Sequence, residues 1–125
     1  MSISITIPGQ ARGGKNNVIV TRSGHRFPNK VYAAWRDKAV MQVKGQYRGK
    51  TCFTVPCFAN IRYWKGDLRR RDVPAIMDGI WHVLERAGVV KDDCLLEDVQ
   101  WESMPVDRKE PRVTIEIGEK GDHQL

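Results

Sequence analysis

A small α+β domain is what this sequence predicts: a mixed β-sheet carrying two main helices, in the order β-β-α-β-α-β-β. Three observations lead there. The 125 residues amount to one domain, 1–125, at ~100–200 residues per domain. Val and Ile together number 22 against 5 Leu, an excess of β-branched residues that favours strands over a helical bundle. Only two segments repeat apolar residues at the helical period, while several others alternate at period two.

Ser2–Ile7 alternates Ile3, Ile5 and Ile7 with Ser2, Ser4 and Thr6, the pattern of a half-buried strand. Pro8-Gly9 ends it, and Gly13-Gly14-Lys15-Asn16-Asn17 reads as a flexible basic loop. Val18–Thr21 is a short strand closed by the turn Ser23-Gly24. After Pro28-Asn29, Tyr32, Trp35, Ala39, Val40 and Val43 fall at helical spacing, so a helix is expected over roughly 29–45. Thr51–Trp64 reads as a long strand, with Phe53, Val55, Cys57, Ala59, Ile61 and Tyr63 on one face. Pro56 points to an edge strand or a bulge. A basic loop over Lys65–Arg71 leads into a second helix, Val73–Ala87, with the stripe Val73, Ile76, Met77, Ile80, Leu84 and Ala87. Pro74 suits its first turn and Gly88 its C-terminal stop. Leu95–Trp101 and Pro111–Ile117 complete the set as strands.

The net charge of +6 hides a split. Residues 1–71 hold 15 Lys/Arg and two acids, Asp37 and Asp67; residues 72–125 hold 6 Lys/Arg and 13 Asp/Glu. A polyanion is drawn to the first part and repelled by the second unless a cation intervenes. That division suits a metal-dependent enzyme acting on nucleic acid, and equally a solvated basic surface beside an acidic one. No apolar run approaches the ~18 residues of a membrane span. The opening residues lack the cationic start of a signal peptide. The odd set Cys52, Cys57 and Cys94 points to reduced thiols in a cytoplasmic protein.

Carboxylates from separate elements can hold a hard divalent ion. Asp72 stands at the start of the second helix, directly after Arg69-Arg70-Arg71, and Asp92-Asp93 comes after its end. The arginines could grip neighbouring phosphates. Read alone, Asp72 is also an ordinary N-cap, and Asp92-Asp93 a solvated turn. Asp78 and His82, four apart, face one side of the helix and read either as a shared ligand pair or as a solvated face. Of the tryptophans, Trp35 belongs to an apolar stripe and Trp64, beside Lys65, is the candidate for stacking on a base.

The run Arg69-Arg70-Arg71-Asp72, a helix, and Glu85-Arg86-Ala87-Gly88-Val89-Val90-Lys91-Asp92-Asp93 resembles the RusA-like Holliday junction resolvases of phages and prophages. Gly14-Lys15-Asn16 and Tyr32-Ala33-Ala34-Trp35-Arg36 are similar to that family's first loop and first helix. The resemblance covers roughly residues 2–118. It implies a homodimeric, Mg²⁺-dependent endonuclease, with Mn²⁺ as a substitute ion and no organic cofactor. Such an enzyme nicks four-way DNA symmetrically in recombination and repair, in the cytoplasm of a bacterial or phage-infected cell. By position, Asp72 and Asp93 match metal-binding aspartates, and Asp92 matches the other member of the final pair. Pro74 stands where the family has a second aspartate, Ala75 where it has Asn, and Asp78 where it has Lys. Asp78 is therefore the expected replacement carboxylate, giving Asp72, Asp78, Asp92 and Asp93 as metal ligands. The resemblance implies Asp72, Asp78 and Asp93 as the catalytic residues. Lys91 or an arginine of the triplet restores the lost positive charge. Lys15, Lys65, Arg69, Arg70, Arg71 and Lys91 are the expected DNA contacts. The alternative is a branched-DNA-binding protein of the same fold that has lost catalysis; a basic RNA-binding or scaffold module is a third reading.

Overall fold

The computed structural model describes residues 2–13 and 18–122. Lys15 and the rest of the expected basic loop, 14–17, lie outside the described residues. The elements are β1 (Ser2–Pro8), β2 (Val18–Val20), β3 (Arg26–Pro28), α1 (Lys30–Gln46), β4 (Cys57–Trp64), α2 (Val73–Arg86), β5 (Leu96–Ser103) and β6 (Arg112–Glu119). One-turn 3₁₀ segments at Asp93–Leu95 and Lys120–Asp122 flank the last two strands. The α+β class and the mixed sheet with two helices are as the sequence predicts. One strand is added: β3 pairs antiparallel with β2 across the Ser23-Gly24 turn, where the Gly24 N–H donates to the Thr21 carbonyl at 3.0 Å.

The four-stranded sheet runs β1-β6-β4-β5. β6 is antiparallel to both β1 and β4, while β4 and β5 are parallel. A parallel neighbour requires a crossover, and α2 supplies it. This places α2 against the sheet and fixes both of its ends relative to β4 and β5. Alternation sends Ile5, Ile7, Ala59, Ile61, Val113, Ile115 and Ile117 into the core beneath the helices. The opposite face is polar, with Ser4, Thr6, Asn60, Arg62, Thr114 and Glu116 lining a shallow hollow of about 650 Å³.

The long strand expected over Thr51–Trp64 begins only at Cys57, and it lies in the sheet interior rather than at an edge. Pro56 explains the late start, since it has no N–H to give to a ladder. Its carbonyl instead accepts from the Lys120 N–H at 2.9 Å, and the β4–β5 register shifts between Cys57 and Phe58. Upstream, Val55 is exposed. Phe53 forms an isolated parallel bridge with Val90.

Both helices are capped as their sequences suggest. The Asn29 side chain accepts from the Val31 N–H at 2.8 Å. Asp72 Oδ1 accepts from the Ala75 N–H at 3.2 Å. At the margin of the sheet, the Gln46 carboxamide accepts from the Thr6 N–H at 2.8 Å and donates to the Thr6 carbonyl at 2.7 Å. It thus satisfies both backbone groups of one residue on the outer edge of β1.

The buried side of α2 is wider than the expected stripe: Ala75, Gly79 and Val83 join Ile76, Ile80 and Leu84, while Val73 and Met77 are half-buried. A Cβ built on Gly79 would lie 2.6 Å from the Arg12 carbonyl oxygen and 3.5 Å from the Trp35 ring. Gly79 therefore lets the segment after β1, together with α1, press onto α2. In an open helix Gly→Ala gains up to about 1 kcal/mol. At this contact, Gly79→Ala should instead destabilise by roughly 1–3 kcal/mol, because a backbone oxygen cannot swing aside. Urea denaturation measures this; a stabilised variant would show the contact to be loose.

Candidate metal centre and nucleic-acid interface

The acidic centre forms at the C-terminal end of α2. Gly88 takes a positive φ of 78° and the Val89 N–H donates to the Leu84 carbonyl at 2.9 Å, which turns the chain sharply. Val89 and Val90 are buried. The Lys91 N–H donates to the Phe53 carbonyl at 2.9 Å, pinning the Asp92-Asp93 segment beside the helix end. Asp92 then caps the 3₁₀ turn, its Oδ1 accepting from the Cys94 N–H at 3.0 Å. Glu85, Asp92 and Asp93 come together, each offering a carboxylate oxygen within 4.8 Å of the others.

Three carboxylates meet there at the negative end of a helix, and none of them has an ion-pair partner among the described residues. Their mutual repulsion is what a divalent cation relieves. The donors are hard oxygens, the set that Mg²⁺ or Mn²⁺ takes, so the residues fit such an ion. The Cys94 N–H, and then its thiol, hold the Asp92 carboxyl below the usual carboxylate range. The same contact raises the Cys94 thiol. Protons compete with a cation for these oxygens. Divalent-ion affinity should therefore be full near neutral pH and weaker at a pH of about 4, where ordinary carboxylates take up protons, while Asp92 holds its charge below the usual carboxylate range. Calorimetric Mn²⁺ titrations at the two pH values test this; equal affinity at both would remove the carboxylates from the binding.

The expected grouping with Asp72 and Asp78 is not what the chain builds. Asp72 caps the opposite end of α2, about 20 Å of helix axis from Glu85 at 1.5 Å per residue. Asp78 lies between them, 3.6 Å from His82. A gathering of Asp72 with Asp93 requires the chain after Gly88 to run back along α2. The bonds to Leu84 and Phe53 hold it at the C-terminal end instead. Glu85 was not among the expected ligands, because its nearness to Asp92 and Asp93 depends on that reversal. The available signal was its place in the last turn before a glycine stop, within reach of the residues just beyond.

A basic group occupies the other end of α2. Asp67 organises it, accepting from the Arg69 N–H at 3.0 Å and from Arg71 Nη2 at 2.7 Å. Burial pushes the Asp67 carboxyl up, but these two donors and the arginine charges outweigh it and hold the carboxyl below its ordinary value. Lys65 Nζ donates to the Arg69 carbonyl at 3.0 Å. Arg71 is largely buried, whereas Arg69 and Arg70 are exposed and make no ion pair among the described residues. Lys91 is exposed beside the acidic group. One face of the Trp64 ring is taken: the Arg112 guanidinium lies 4.0 Å from its centroid and also pairs with Asp107 at 2.9 Å. Trp35 packs as a core residue.

The molecule is thus a mixed-sheet α+β domain whose crossover helix carries a carboxylate group at one end and an arginine run at the other. No protein-family model matches the chain. It is similar, at 26% identity over 84 residues, to the crossover junction endodeoxyribonuclease RusA of Aquifex aeolicus (strain VF5). The match covers 67% of this chain, which spans 66% of that protein's length. This supports the resemblance to RusA-like resolvases at a distance. No helix among the described residues is long and apolar enough to cross a membrane.

Proposed function

We propose that this protein is a divalent-metal-dependent endonuclease acting on branched DNA, in the manner of a Holliday junction resolvase and working as a homodimer in recombination or repair. The observation that carries the reading is the group Glu85, Asp92 and Asp93, gathered from two elements and without an ion-pair partner among the described residues. The similarity to a crossover junction endodeoxyribonuclease supports it. Glu85, Asp92 and Asp93 would hold Mg²⁺ or Mn²⁺. A divalent ion bound there supplies Lewis acidity toward a phosphodiester oxygen and toward water. Arg69 and Arg70 bind backbone phosphates, Lys65 and Asp67 fix the loop that presents them, and Lys91 faces the strand nearest the acids. Contacts of this kind position DNA without reading its sequence. A two-fold homodimer presents two such sites to a junction of matching symmetry. The three free cysteines suit a reducing cytoplasm.

A second reading, branched-DNA binding without cleavage, is favoured by the distance of Asp72 from the acidic group. The test is incubation of a synthetic four-way junction and a linear duplex of the same sequence with the protein, in Mg²⁺ and in EDTA. The nuclease reading expects Mg²⁺-dependent paired nicks in the junction and little cutting of the duplex. Tight junction binding with no cleavage in Mg²⁺, Mn²⁺ or Co²⁺ establishes the second reading instead.

A further inference from the structure

The strongest charged surface not used so far is the solvent side of α1. Tyr32, Ala39 and Val43 are its buried residues. At 100° per residue, Lys30, Lys38 and Lys44 project from the opposite side, and all three are exposed. They span about 21 Å of helix axis at 1.5 Å per residue. Arg48 and Lys50 continue the row past the helix end, both exposed. The acid on this side, Asp37, is taken by Arg36 at 3.0 Å. The five cations of the row make no ion pair among the described residues.

Ion pairing along the helix does not explain the lysines, and the helix dipole accounts only for Lys44, in the last turn. Exposed lysines commonly serve a helix through an acidic residue three or four positions away. Lys30 has Ala33 and Ala34 at those positions, Lys38 has Ala34, Trp35, Met41 and Gln42, and Lys44 has Val40, Met41, Tyr47 and Arg48. Lys30 also stands at the positive end of the helix dipole, where a cation is disfavoured, and no acid accompanies it in the first turn. The row therefore has no ion-pair relief among the described residues, which is the condition an external polyanion removes. Ala34 and Gly45 leave low ground between them for a backbone to approach. The exposed apolar residues on this helix are Val31 and Met41, too few for the apolar face of a membrane-lying helix.

We propose that the solvent face of α1 is a second phosphate-binding track, which holds a duplex DNA arm through Lys30, Lys38 and Lys44, extended by Arg48 and Lys50. The track rests on the reading of the protein as a branched-DNA-binding nuclease and extends its DNA contacts beyond the α2 ends. A row of about 21 Å matches some six phosphates of one strand at 3.4 Å of axis each.

The test is the salt dependence of binding to a junction with duplex arms, measured in EDTA so that cleavage plays no part. Each lost phosphate contact lowers the slope of log K against log salt by about 0.9. K30Q/K38Q/K44Q should therefore flatten the slope by about 2.7 and weaken binding at fixed salt, while K30R/K38R/K44R keeps both. Circular dichroism of each variant reports whether α1 remains folded. An unchanged slope in a folded glutamine variant overturns the track and leaves the nuclease reading standing. A slope that depends on the lysines in a protein that cleaves nothing supports the track and overturns the nuclease reading. Absence of DNA binding, or a preference for phosphatidylserine vesicles over DNA, overturns both.

Discussion

Asp93→Asn is expected to slow junction cleavage by roughly 10²–10³-fold, while affinity for the junction in EDTA stays unchanged. The acidic group has three members, and replacing one carboxylate by an amide removes a third of its negative charge while keeping its shape. Divalent-ion chemistry of this kind contributes several kcal/mol of transition-state charge stabilisation, and each 1.36 kcal/mol is tenfold in rate. Glu85→Gln should behave likewise, because its oxygen shares the same 4.8 Å group. Asp72→Asn offers the contrast. Its carboxylate caps α2 at the far end, where asparagine caps about as well, so its cleavage should fall far less. Single-turnover cleavage of a labelled junction at saturating Mg²⁺ measures all three. If Asp72→Asn were as damaging as Asp93→Asn, the centre would have to include the N-terminal end of α2.

Leu84→Ala should cost about 3–5 kcal/mol of stability and loosen metal binding in the same step. Leu84 is 0% exposed within the core, and leucine truncations in closed cores fall in about that range, because the cavity adds to the lost burial. Its carbonyl also receives the Val89 N–H, the bond that begins the turn toward Asp92 and Asp93. A cavity beneath this turn lets it shift, and the carboxylates then converge less readily. Chemical denaturation measures the first effect, and Mn²⁺ titration of the folded variant the second. Full stability in Leu84→Ala would mean that the α2 end is less tightly packed than its burial indicates.

The regular parts of the fold were legible because their signals are local. Alternation in Ser2–Ile7 and Arg112–Ile117 sets which side of the strand is apolar. The stripe on α2 and the Asp72, Pro74 and Gly88 punctuation set that helix to within a residue. The illegible parts depend on partners distant in sequence. β3 is three residues long and exists through its pairing with β2. Pro56 argued for an edge or a bulge: β4 became interior because its ladders begin just past the proline, and the β4–β5 register shifts beside it. The site divides the same way. Asp92 and Asp93 were found from their spacing and their likeness to a motif. Glu85 could be found only once the bridge from Phe53 to Val90 fixed where the chain goes after Gly88. That bridge, which joins residues 37 positions apart, also keeps the segment before Asp92 away from the end of α2 that Asp72 caps.

The Gln46 carboxamide seated on Thr6 has a consequence for assembly. Up to its terminal Pro8, β1 is an uncharged run of serine, threonine and isoleucine, the kind of margin that recruits strands from other molecules. An incoming strand would have to evict a side chain that already mimics its peptide group. Copies of this protein are thereby steered away from zipping together along that border.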